Sequence, residues 1–157
     1  PKVAEVLQGK NALVLSAREE NYKAVGAAAG LAYNQKVGAE SAVDINLAKQ
    51  LNVVMTQLGV KAQDIVMNVG SAAVGYGFEY VVSTMDRIKG AALSQNDNML
   101  QMPIITTVAD ESWSVKEAMA SEEVQTAAAV LASGSDAVIL KHPQSVAAIS
   151  KMIKELM

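Results

Sequence analysis

Residues 64–80, DIVMNVGSAAVGYGFEY, are where the residue types of this chain come closest to a binding site. Four apolar-rich residues lead into Asn68, a loop of glycines and small residues follows to Gly77, and Phe78 opens an amphipathic pattern. A strand feeding a glycine-rich loop and then a helix leaves backbone N–H groups free at the strand's carboxyl end, where α/β proteins usually take ligands. The loop lacks the lysine and hydroxyl pair of a phosphate-binding P-loop, and Gly75-Tyr76-Gly77 has no third glycine at the dinucleotide offset. A nucleotide is therefore not expected. A plain tight turn needing positive φ and a site of close ligand approach both remain open for it.

The other chemical candidates are weaker. Asp110 and Glu111 are adjacent, so they cannot face each other as a two-carboxylate pair, and acids at a helix start are favoured by the dipole alone. Trp113 could stack on a planar ligand or plug the helix entry, with packing the preferred reading. Lys141 and His142 end an apolar run beside Pro143; a Schiff-base lysine there has no identifiable acid partner. His142 is the only histidine, which rules out a histidine metal cluster. Of the eight methionines, Met55, Met85 and Met152 sit at helical core spacing and read as gap-fillers.

These candidates must be positioned by alternating strands and helices. Strands are expected at 11–16, 36–41 (weakened by Gly38), 64–68, 101–107 and 136–140. Helices are expected at 20–33, from a cap at Asp44 to a stop at Gly59, at 78–92, from a capping box at Ser114 and Glu117 to about Ser133 with a break near 120–122, and from Pro143 to the end. Their apolar faces are Tyr22, Val25, Ala29 and Ala32; Leu47, Leu51, Val54 and Leu58; Phe78, Val81, Met85 and Ile88; and Val146, Ile149, Met152 and Leu156. Five such units imply a single α/β domain over 1–157 with a mostly parallel sheet. It is either about five units of a (β/α)8 TIM-barrel type or a flavodoxin-like open sheet. In both, the loops at 16–19, 40–42, 68–76, 106–111 and 141–142 gather on one rim.

Composition narrows the function classes. A charge of −3 and no long basic run argue against nucleic acid or an anionic membrane. No apolar run is of spanning length and no signal-peptide pattern is found, and the absence of cysteine fits a reducing cytoplasm. With no cysteine the chain holds no iron–sulfur cluster of its own. Proline at position 1 reads as a processed chain or a piece of a longer one.

Residues 65–68 (IVMN), 73–77 (AVGYG), Glu79, Tyr80 and 85–88 (MDRI), followed by MPIITTVADESW, resemble one family at its hallmark segment. That family is the small subunit of the corrinoid/iron–sulfur protein, the delta subunit of archaeal acetyl-CoA decarbonylase/synthase. The segments AESAVDINLAKQLN at 39–52 and SDAVILKHPQSV at 135–146 are similar too.

The resemblance implies a (β/α)8 barrel paired with a larger corrinoid/iron–sulfur subunit. A corrinoid (cobalamin) shared with that subunit would pass a methyl group from methyltetrahydrofolate, or the archaeal pterin, to acetyl-CoA synthase. The methyltransferase and acetyl-CoA synthase would be transient partners, and this subunit would be non-catalytic. It places Asn68, Gly70, Ser71, Ala72, Ala73, Gly75, Tyr76, Gly77, Thr106 and Thr107 on the rim nearest the corrinoid, with no cobalt ligand among them. Family members are longer, so amino-terminal strands are expected to be missing, and 118–125 looks short. The competing expectations are an α/β enzyme taking a phosphorylated or pterin substrate at 68–77, and a barrel fragment without activity.

Overall fold

A computed structural model describes residues 1–112 and 119–156. The elements in chain order are α1 Lys2–Val6, β1 Leu13–Ala17, α2 Tyr22–Val25 running on as a π-helical segment Gly26–Ala32, β2 Lys36–Glu40, α3 Ile45–Leu58 and β3 Ile65–Asn68. Then come α4 Phe78–Ser94, β4 Ile104–Thr106, α5 Val108–Ser112, α6 Met119–Ala132, β5 Ala137–Val138 and α7 Pro143–Leu156.

The five strands form one parallel sheet in the order β1-β2-β3-β4-β5. The sheet is open, since β1 and β5 each keep an unpaired edge among the described residues. The order carries no reversal, so it lacks the crevice at which a flavodoxin-like sheet takes its ligand. With right-handed crossovers such an order keeps the crossover helices on one face.

Register separates the two faces of the sheet. Val37, Ala39, Ile65, Met67 and Ile104 share one face and are almost wholly buried. That face meets the helices: a methyl group on Gly30 of the π-helical segment would lie 3.5 Å from Val37 Cγ2. Gly38, Val66 and Ile105 share the opposite face. There Gly38 has a packing reason, because a Cβ on it would sit 2.0 Å from Leu15 Cδ2 of the neighbouring strand. The residue that weakens β2 as a sequence pattern is what lets Leu15 cross it.

Local signals account for several of the helix ends. Asp44 caps α3, its carboxylate accepting from the N–H groups of Asn46 (2.8 Å) and Leu47 (3.2 Å), and Gly59 stops it at φ +109. Pro143 opens α7 as expected.

Several expectations are corrected. The buried side of α3 is Ala48, Leu51, Asn52 and Met55, so the stripe is rotated from the predicted one. Asn52 tolerates burial because its amide donates to the Met99 carbonyl at 2.7 Å. In α7, Val146 and Leu156 are exposed and only Ile149 and Ser145 are buried. Helix α6 runs unbroken through 120–122, and the expected loop at 106–111 is already helical from Val108. Helix α1 has no counterpart among the expected elements; Gln35, fully buried, donates to the Ala4 carbonyl and fastens it to the start of β2. Trp113 and the capping box of Ser114 and Glu117 lie outside the described residues.

Candidate functional site at the strand carboxyl ends

The glycine loop is held in shape by its own first residue. Asn68 ends β3 almost fully buried, and its side-chain oxygen accepts the Gly70 N–H at 3.0 Å, closing an Asx turn. Gly70, Gly75 and Gly77 have φ of +80, +86 and +93, values that side chains with a Cβ rarely adopt. Gly77 is also the cap residue from which α4 starts. Ala73 is buried and Ala72 partly so, whereas Gly75 faces open space and Tyr76 is 69% exposed. Ser71 is only partly covered, yet its Oγ is buried without a hydrogen-bond partner.

The loop after β2 packs against this turn. The Ser41 N–H donates to the Asn68 carbonyl at 2.9 Å, and the Val43 N–H donates to that of Val69 at 2.8 Å. Thr84 of α4 donates to the Val43 carbonyl at 3.0 Å. These bonds hold Ala42 and Val43 at φ +47 and +60, a strained conformation for a β-branched residue. The approach is close: a Cβ on Gly70 would lie 3.6 Å from the Ala42 Cα. The buried Ser41 Oγ is a second hydroxyl without a partner at this junction. Neither loop, 41–43 or 68–77, contains an acid, a lysine or a histidine. The junction can offer hydrogen bonds and shape, but no proton-transfer pair.

The remaining expected rim residues fare differently. Thr106 is fully buried and its hydroxyl is 2.9 Å from that of Ser135, so its side chain is used inside the fold. Thr107 is partly exposed. Asp110 is exposed in α5. At the β1–β2 end of the rim Arg18 meets Glu40 at 2.9 Å, and the hydrogen bond to that carboxylate raises the guanidinium pKa above its ordinary value. Beside Gly75 and Phe78, a surface groove of about 760 Å³ opens between α4 and α6, with Glu79, Ser83 and Asp86 along it.

Two residues that sequence reasoning passes over shape the rim. Glu123 of α6 is fully buried and accepts the backbone N–H groups of Lys141 at 2.7 Å and His142 at 3.1 Å. Thr126, also fully buried, accepts the Val74 N–H of the glycine loop at 3.2 Å. Nothing in the run Ser121-Glu122-Glu123 separates the buried acid from its neighbour, since both read as ordinary acids near a helix start.

Among the described residues no helix is long and apolar enough to cross a membrane. A family model described as the CO dehydrogenase/acetyl-CoA synthase delta subunit matches residues 1–154. The acetyl-CoA decarbonylase/synthase complex subunit delta 1 of Methanosarcina thermophila is 31% identical over 99% of this chain and 40% of its own length. Subunit delta of the Methanopyrus kandleri complex is 32% identical over 98% of this chain and 41% of its own. That of Methanothermobacter thermautotrophicus is 31% identical over 92% and 40%. The chain thus spans about 40% of the length of these curated relatives. With a match that runs through both rim loops and nearly every element, the chain belongs to the CO dehydrogenase/acetyl-CoA synthase delta-subunit family.

Proposed function

We propose that this chain forms part of a non-catalytic subunit that shields the corrinoid of a larger corrinoid/iron–sulfur partner in acetyl-CoA synthesis. The observation that carries the reading is the make-up of the rim in a chain of this family: neutral, small-residue loops at the strand ends, with two hydroxyls left without partners. A corrinoid is a broad ring edged with amide groups. Such an edge can take hydrogen bonds from loop amides and, once its buried hydroxyl turns outward, from Ser71, while Gly70, Ala72, Ala73, Gly75 and Gly77 let the ring approach without large side chains in the way. Asn68 holds the turn, Tyr76 offers an exposed aromatic face, and Thr107 extends the surface toward β4. Thr106 contributes through the backbone it supports.

When bound, the corrinoid's cobalt supplies the methyl-carrying chemistry, between a methyl-pterin and acetyl-CoA synthase. This chain's residues bind, orient and exclude water. The sequential, unreversed strand order suits a segment of a (β/α)8 barrel, in which each strand lies beside the one before it. The methyltransferase and acetyl-CoA synthase are the transient partners of the assembly, which works in the cytoplasm. Gel filtration of this chain mixed with the larger subunit and cobalamin, followed at visible wavelengths, tests the reading. Co-elution with an altered cobalamin spectrum is expected; separate elution of the chain at every ratio tried would overturn it.

A further inference from the structure

Glu123 and Thr126 lie three residues apart on α6, so their side chains share one face of the helix. Each reaches a different rim loop. The carboxylate of Glu123 takes two consecutive N–H groups, of Lys141 and His142, in the connection from β5 to α7. The Thr126 hydroxyl takes the Val74 N–H, in the connection from β3 to α4. A third contact, from the Ser145 hydroxyl to the Ala120 carbonyl at 3.3 Å, fastens the first turn of α7 to the same helix. The two loops follow strands that are not neighbours, since β4 separates them in the sheet.

The chemistry at Glu123 is specific. Both oxygens of an ionised carboxylate accept, so it can satisfy two N–H groups at once, whereas an amide would point a donor at one of them. Burial of Glu123 makes these bonds costly to lose, because its carboxylate has no water to fall back on. Thr126 is the gentler contact of the pair: its hydroxyl accepts the Val74 N–H at 3.2 Å and donates, at 3.5 Å, to the Glu122 carboxylate.

We propose that α6 mechanically couples the glycine loop to the 139–142 loop, with Glu123 and Thr126 as positioning residues fastened to the two loops within one helical turn. A ligand or partner that displaces one loop then moves the other through the helix. This coupling does not depend on what the rim binds.

Residue-resolved amide hydrogen exchange on the full chain tests it, with Met67 as the reference because its N–H is bonded to the Pro103 carbonyl inside the sheet. Thr126→Val keeps the side-chain shape and removes the acceptor. Coupling predicts exchange faster by about three- to ten-fold at Val74 and also at Lys141 and His142, with Met67 unchanged. Glu123→Gln should do the converse, loosening Lys141 and His142 directly and Val74 through α6. Faster exchange confined to the loop each variant touches would overturn the proposal, as would a uniform rise that includes Met67. If Glu123→Gln fails to fold, Thr126→Val alone decides.

Discussion

The two ends of the sheet are built from different chemistry. At the amino ends of the strands, charge does the fastening. Lys36 pairs with Asp64, and Asp136 takes both Lys89 (3.0 Å) and the Ile104 N–H (2.8 Å). In the loop that feeds β4, Asp97 takes Lys49 of α3 and the Met99 N–H. At the carboxyl ends charge is confined to the Arg18–Glu40 pair and to Glu123, while the loops 41–43 and 68–77 carry none, and there lie a strained turn and two hydroxyls without partners. The contrast teaches where stability was retained and where it was given up. In parallel α/β folds the amino-end face secures the fold, while the carboxyl-end face is free to be shaped for binding.

Substitutions can break or sharpen this contrast. The largest effect is expected for Asp136→Ala, which leaves the Ile104 N–H without its acceptor and Lys89 without its partner. Its urea midpoint should fall by the equivalent of about 2 kcal/mol, the charge share being small because the side chain is 47% exposed. Val43→Gly should go the other way. It removes the strain of φ +60 at the rim and is expected to raise stability by about 1 kcal/mol after the added chain entropy, while weakening whatever the rim binds. A loss of stability would show that Val43 is not strained in the working protein.

Asp97→Asn tests the charged end. The hydrogen bond from Lys49 is the main reason the Asp97 pKa lies below its ordinary value. A carboxylate with a lowered folded pKa contributes fully above its unfolded pKa and loses that contribution as pH falls through the folded value. Wild type should therefore exceed the variant by about 0.5 kcal/mol at neutral pH, and the two melting curves should converge in acid. Divergence in acid would contradict the assignment. The smallest stability effect is expected for Ser71→Ala, within about 0.5 kcal/mol, since the hydroxyl has no partner to lose. If the rim binds as proposed, the same change should weaken co-elution with the larger subunit. A substantial loss of stability instead would mean that Ser71 serves the fold.

How much of this is legible in the chain depends on how local the signal is. The glycine loop can be read directly, because strand, glycines and helix follow one another within seventeen residues. The Asp44 cap and the Gly59 stop are equally local, with every group involved lying within a turn of its partner. The rotated face of α3 is not legible. Whether Leu47 or Ala48 is buried depends on which neighbour approaches, and the carbonyl that makes Asn52 acceptable comes from Met99, 47 residues on.

By itself the sequence determined the alternation of strand and helix, the capped ends, the place of the glycine loop and the family likeness, since each rests on residue type and short spacing. Only the tertiary structure decided the unreversed strand order, the room that Gly38 leaves for Leu15, and the strain at Val43. The same holds for the choice of Glu123 over Glu122 as the acid that holds the rim. Those features depend on bonds and contacts between parts of the chain 18 to 52 residues apart, as at Glu123 and Thr126, and no local pattern encodes which distant backbone group will arrive.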